Sequence, residues 1–159
     1  MSKESGITSP RLWIVLAKCH RALRQVVECS IGGTGMVLSD FMVLEALLHK
    51  GPQTISEIQN RILLATGSMT AAVDRVERKG LVVRTTTPND RRAKVLALTE
   101  SGSKLIETAY TRHAADLAEV MSVLSAEEKV NLYRLTRKLG FAAAERKSAQ
   151  VSHDSQQGD

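Results

Sequence analysis

Asp90-Arg91-Arg92 stands between two β-prone runs, Leu81 to Thr86 and Lys94 to Leu98, with Pro88-Asn89-Asp90 as the turn that joins them. A hairpin tip gains nothing in packing from two adjacent guanidinium groups, so the chemistry on offer is the binding of an external anion. DNA phosphate, or the narrow and strongly negative minor groove, fits two arginines on a projecting turn. Upstream lies a helix-sized segment with small and polar residues at its start: Ser68, Thr70, Ala71, Asp74 and Arg75 surround an apolar face of Met69, Val73 and Val76. Hydroxyls can bond phosphates or base edges, and an arginine can reach phosphate or the two acceptors of guanine in the major groove.

Charge is distributed in keeping with this. Residues 61–94 hold eight basic groups and three acidic ones, so this segment alone accounts for the formal +5 of the 159-residue chain. A local field of this kind is an electrostatic footprint for a polyanion. The sequence contains no nucleophile elbow, phosphate-binding glycine loop or metal-hydrolase motif, so no catalytic residue and no cofactor is expected. Cys29, His49 and His113 are metal donors by type only and lack ligand spacing, so no metal is expected either. No apolar run approaches a membrane span, no signal-peptide core opens the chain, and two cysteines make no disulfide framework. These features point to the cytoplasm and away from a membrane.

Several elements must position these groups. Ser9-Pro10 opens a helix bearing Leu12, Leu16, Cys19, Leu23, Val26 and Val27 on one face, and Gly32-Gly33-Thr34-Gly35 ends it. Leu38-Ser39 opens a second, with Ser39 as cap and Phe41, Leu44, Leu47 and Leu48 as its stripe, closed by Gly51-Pro52. Gln53-Thr54-Ile55 reads as a very short strand. Ser56 to Gln59 reads as a capping box for a short helix ending at Leu63 or Leu64. Ala65 to Ser68 is then a turn before the next helix, which Gly80 stops. Thr99 caps a long helix with Leu105, Ile106, Ala109, His113, Leu117, Val120, Met121 and Leu124. Ser125 to Glu128, a second capping box, opens a last helix with Leu132, Leu135, Leu139 and Ala142.

The expected fold is mainly α: a winged helix-turn-helix with N- and C-terminal dimerisation helices, in the order helix, helix, short strand, helix, helix, strand, strand, helix, helix. Residues 1–8 are expected to be disordered. Residues 9–147 form one domain, in which 9–35 and 103–147 are dimerisation helices and 38–102 the DNA-binding lobe. Residues 148–159 form a disordered tail. The terminal helices carry apolar stripes that a second copy would bury, so a homodimer presenting two recognition helices to two half-sites is expected.

Three pieces together resemble the MarR (multiple antibiotic resistance regulator) family of transcription factors: Thr70-Ala71-Ala72-Val73-Asp74-Arg75-Val76-Glu77-Arg78-Lys79-Gly80-Leu81-Val82-Val83-Arg84, then Asp90-Arg91-Arg92, then Leu98-Thr99-Glu100-Ser101-Gly102. The resemblance spans roughly Leu12 to Leu139. It implies an obligate dimer bound to double-stranded DNA at palindromic operators, most often as a repressor released by a small molecule or an oxidant. Ile62 to Thr70 is similar to a subgroup that answers hydroquinones and related aromatic compounds.

The resemblance also implies roles. Arg92 enters the minor groove, Arg91 lies beside it on phosphate or the groove edge, and Asp90 braces an arginine; Lys94 belongs to the same interface and Arg84 reaches phosphate from the first wing strand. Ser68, Thr70 and Arg75 contact DNA from the recognition helix, where Ala71 replaces the long polar side chain of some relatives. Asp74, which would face phosphates, is expected to brace Arg75 or Arg78. Trp13, Cys19, His20, Arg24 and Phe41 fall where the family often forms a pocket, and a tryptophan face with a nearby arginine suits a small aromatic acid or phenol as effector. Two other readings stand beside this one. The first is redox control through Cys19 or Cys29, which lie about 15 Å apart along one straight helix and so cannot bridge within it. The second is an architectural protein that binds DNA without sequence preference.

Overall fold

The computed structural model describes the backbone of residues 6–62, 66–87 and 90–154, and the side chains of 6–62, 67–86 and 95–146. Six α-helices and a two-stranded antiparallel sheet are found among them: α1 (Ser9–Gly32), α2 (Leu38–Lys50), α3 (Ile55–Arg61), α4 (Thr66–Arg78), β1 (Val82–Thr87), β2 (Asp90–Leu98), α5 (Glu100–Val120) and α6 (Ala126–Asp154). A single 3-10 turn over Met121–Val123 precedes α6. This is the winged helix-turn-helix order expected from the sequence. The anticipated third strand, however, shrinks to one bridge, Gln53 with Leu96. Pro52 has no N–H for a ladder, and Thr54 is already committed to capping the next helix.

The chain divides into two compact units, Met1–Ala118 and Glu119–Asp159. In the first, the core is aliphatic with one phenylalanine: Ile31, Phe41, Val43, Leu44, Leu47, Ile58, Met69, Ala72, Val73, Val76, Val82, Leu96 and Ile106 are all buried. Met69, Val73 and Val76 recur at helical spacing, so α4 turns one face wholly inward; each such side chain contributes about 1.5–3 kcal/mol. In the second unit, α6 keeps Val130, Leu132, Tyr133, Leu135, Leu139 and Phe141 exposed in the single chain, and it continues to Asp154, past the expected start of a tail at Ser148.

Several helix starts shift from the sequence expectation. Thr8, not Ser9, is the cap residue of α1. The start of α2 lies at Leu38 behind Val37, whose carbonyl accepts from the N–H groups of Asp40 and Phe41; Ser39 sits inside the helix with its hydroxyl engaged elsewhere. The α3 capping box belongs to Thr54 and Glu57 rather than Ser56 and Gln59. The Thr54 N–H donates to Glu57 Oε2 at 2.7 Å, and the Glu57 N–H donates to Thr54 Oγ1 at 3.2 Å. Hydrogen bonding by Thr54, chiefly from its backbone N–H, holds the Glu57 carboxyl below its usual range. Helix α3 ends at Arg61. Helix α4 starts at Thr66, so Ser68 lies in its first turn instead of in a preceding turn. The second capping box is as expected: Ser125 and Glu128 exchange bonds of 2.8 and 3.2 Å.

The joint between α4, the sheet and α5 is tightly built. Gly80, at φ 68°, ends α4; its N–H donates to the Glu77 carbonyl while the Leu81 N–H reaches the Val76 carbonyl. This paired closure needs a left-handed residue, which glycine supplies without strain. Thr99 caps α5 by accepting from the Gly102 N–H, and its hydroxyl donates to the Gly80 carbonyl at 2.8 Å. Gly102 packs directly on the Leu81 carbonyl, where a Cβ would collide with backbone.

Candidate nucleic-acid interface and adjoining cleft

With its apolar face buried, α4 presents Gly67, Ser68, Thr70, Ala71, Asp74 and Arg78 outward. The expected recognition residues Ser68, Thr70 and Ala71 thus share the exposed surface. Arg75 does not join them freely. Its Nε and one terminal nitrogen donate to Asp40 Oδ1 at 2.9 and 2.7 Å, and the latter also donates to Ser39 Oγ at 2.8 Å. Asp40 is only 1% exposed. Its second oxygen, Oδ2, has no hydrogen-bond partner and lies 3.6 Å from Lys79 Nζ. Lys79 in turn donates to the Gly35 carbonyl at 2.9 Å. A carboxylate this deep needs compensating cations, and Arg75 of α4 and Lys79 just past its end provide them, so Arg75 fixes the recognition helix to α2.

Contrary to the sequence expectation, Asp74 braces neither Arg75 nor Arg78. It faces Arg84 at 3.4 Å, and Arg84 Nε forks onto both oxygens of Glu77 at 3.1 and 2.9 Å. The first wing strand is thereby tied to α4 through exposed ion pairs. Arg84, expected on phosphate, is folded back onto its own domain.

The wing pairs in regular antiparallel register from Val82 with Leu98 to Thr86 with Lys94, then shifts so that Thr87 opposes Asp90. Arg91, Arg92 and Ala93 fall in that irregular stretch of β2, where a bulge increases the local twist. The turn residues Pro88 and Asn89, and the side chains of Asp90, Arg91, Arg92 and Lys94, lie outside what is described.

Beside α4 is an open cleft of about 740 Å³ walled by α1, α2 and α5 and by Ser68. Of the residues expected to form a pocket, His20, Arg24 and Phe41 line it, joined by Leu23, Val27, Glu28, Met42, Glu45, His113 and Leu117. Trp13, 69% exposed, and Cys19, also exposed, lie outside the lining. Arg24 is paired with Glu28 at 2.8 Å within the cleft wall. Ser39, which holds Arg75, is part of the same wall. His113 is 8% exposed; its Nδ1 lies 3.3 Å from the buried Ser30 Oγ, and its ring meets the edge of Phe41 at 5.0 Å and 65°.

Sequence reasoning passed over Asp40, Ser39 as an acceptor, and the Ser30–His113 pair. Asp40 had a signal: it falls in register with Leu44 and Leu47, an acid on an apolar stripe. Ser30 and His113, 83 residues apart, had none that local spacing could supply.

Among the described residues no helix is long and apolar enough to cross a membrane. The MarR family model matches residues 37–94, from the start of α2 to within the wing. The HTH-type transcriptional regulator MhqR of Bacillus subtilis is 38% identical over 135 residues, covering 85% of this chain and 93% of its own. Two solved structures share the fold. MarR from E. coli in complex with operator DNA superposes with a TM-score of 0.71 at 24% identity, over 80% of this chain and 92% of its own. The organohalide-sensing regulator RdhR in its 2,4-dichlorophenol-bound form gives 0.70 at 20% identity, over 87% of each chain. The chain therefore belongs to the MarR family of winged helix-turn-helix proteins, DNA-binding transcriptional regulators rather than enzymes.

Proposed function

We propose that the protein is a homodimeric repressor that binds a palindromic operator and is released from it by a small aromatic or phenolic ligand seated in the cleft. The observation that carries this reading is the makeup of the cleft wall. Ser68 of the recognition helix lines it directly, and Ser39 both lines it and accepts from Arg75 of the same helix. A molecule lodged there touches the recognition helix directly at Ser68 and indirectly through Ser39 of α2, which holds Arg75, so binding has a route to the DNA-facing surface. The wall's apolar part, including Leu23, Val27, Phe41, Met42 and Leu117, suits an aromatic ring.

The paired state is supported by what each unit leaves uncovered. Leu12, Trp13, Ile14 and Val15 are exposed on α1, and α6 exposes its own apolar residues. Faces of this kind on a single chain call for a partner copy. In the DNA-bound dimer Arg92 inserts into the minor groove, Arg91 and Lys94 contact phosphate, and Ser68, Thr70 and Ala71 face the major groove. The E. coli relative in complex with operator DNA and the dichlorophenol-bound relative support the two halves of the proposal.

A mobility-shift titration with the upstream region of the protein's own gene tests it. The expected result is a preference of about 10³ or more over random duplex, lost on adding a phenol at saturating concentration. A chain that runs as a monomer in sedimentation, or binds all duplexes equally, overturns it.

A further inference from the structure

One wall of the cleft holds a histidine whose Nδ1 lies against a buried serine hydroxyl. Ser30 is 1% exposed, and its hydroxyl donates to the Val27 carbonyl at 2.8 Å. A hydroxyl has one proton to give. With that proton committed, Ser30 Oγ can only accept from His113 Nδ1, 3.3 Å away. The neutral ring is then the Nδ1–H form, and Nε2 is a bare lone pair. Phe41, edge-on to the imidazole, holds the ring plane. The charges around it offer little to an anion. Arg24 already pairs with Glu28, and Glu45 adds a second carboxylate to the wall.

We propose that His113, held as the Nδ1–H tautomer by Ser30, is a specificity-determining residue of the cleft. Its Nε2 accepts a hydrogen bond from the hydroxyl of an uncharged aromatic ligand and disfavours the carboxylate of an aromatic acid. This rests on the ligand-responsive reading above and narrows it. A neutral phenol brings a proton to Nε2 while its ring lies against Phe41 and Leu117. A benzoate brings only lone pairs, to a site where the lone pair of Nε2 and the Glu45 carboxylate are already present and Arg24 is taken up by Glu28. An acceptor facing an acceptor is a desolvated, unpaired arrangement, which discriminates more sharply than a change of apolar size.

The test uses the full-length dimer with nitrogen-15-labelled histidine, at neutral pH. In the ligand-free protein the His113 proton is expected on Nδ1; a proton on Nε2 overturns the inference without any ligand. The protein is then titrated with para-chlorophenol and para-chlorobenzoate, by calorimetry and by NMR. The phenol is expected to bind about tenfold or more tightly than the benzoate and to shift the Nε2 resonance. Ser30→Ala should narrow that preference, and His113→Phe, checked for folding by its melting temperature, should abolish it. Equal affinity for the two compounds, or phenol binding that leaves Nε2 unmoved, overturns the role of His113 while leaving a ligand-binding cleft. Binding of neither compound overturns both the role and the phenolic reading of the cleft.

Discussion

Arg75 on the recognition helix holds Asp40 on α2 through two hydrogen bonds of 2.7 and 2.9 Å, and the carboxylate is almost entirely out of solvent. The same guanidinium reaches Ser39, a residue of the cleft wall. One side chain therefore links the buried acid that anchors α4 to the surface a ligand would touch. The position of the recognition helix depends on an ion pair rather than on packing alone.

Asp40→Asn leaves Arg75 and Lys79 without their carboxylate and should lower unfolding stability by about 2 kcal/mol, less than a fully buried pair because Arg75 is one-third exposed. Arg75→Met removes the opposite partner. If the two act as a pair, the double variant should be less destabilised than the sum of the singles, with a coupling of roughly 1–3 kcal/mol in urea melts. Strict additivity would show that the contact does not anchor α4. Operator affinity should fall in both single variants, since a loosened α4 must be ordered again on DNA.

Gly102 offers a purely steric prediction. A Cβ there meets the Leu81 carbonyl, which already accepts from the Thr99 N–H at 3.0 Å and cannot move aside without breaking that bond. Gly102→Ala should therefore lower stability by about 1–3 kcal/mol, although alanine is the better helix former. Thermal unfolding of Gly102→Ala beside Gly140→Ala, whose Cβ would meet open space, separates the clash from the propensity gain.

The parts legible in the sequence were those set by local rules. Helical spacing gave the buried stripe of α4, the Ser125–Glu128 box was placed correctly, and Gly80 marked a helix stop because only a left-handed residue closes that end. A failure came at the start of α3. Ser56-x-x-Gln59 fitted the capping-box pattern, whereas the structure forms the box two residues earlier at Thr54 and Glu57, where a carboxylate accepts more strongly than an amide. Tertiary pairing was the larger gap. Arg75 looked like a DNA contact on the helix surface, and Arg84 like a phosphate contact on the strand. Asp40, and Glu77 with Asp74, claim them across separations that spacing rules do not cover.

The Thr54–Glu57 box predicts a local pH dependence. Glu57 accepts from the Thr54 N–H, which holds its carboxyl below the ordinary glutamate value in the folded chain. A lowered folded value means that the stabilising contribution is present above the unfolded value and is lost as pH falls through the folded one. The Thr54 amide resonance should therefore titrate below the usual glutamate range, with fraying of α3 following it. Glu57→Gln should flatten the titration. A Thr54 amide that does not respond to acid would show that the box is not formed in solution.

Arg84 and Arg92 should part company on DNA. Arg84 is held by Glu77 and Asp74, so a phosphate must compete with two carboxylates for it. Arg92 lies in the irregular stretch of β2 beyond the regular ladder. Arg92→Ala is therefore expected to weaken operator binding about tenfold or more and to reduce the slope of log affinity against log salt by about one phosphate's worth. Arg84→Ala should change affinity by about threefold at most, with an unchanged slope. Glu77→Ala frees Arg84 and removes a negative charge beside the DNA-facing surface, so it should strengthen binding and steepen the slope. Fluorescence anisotropy across a salt series measures all three. If Arg84→Ala and Arg92→Ala were equally damaging, the Glu77 and Asp74 contacts would have to open on DNA, and the wing strand as well as its tip would belong to the interface.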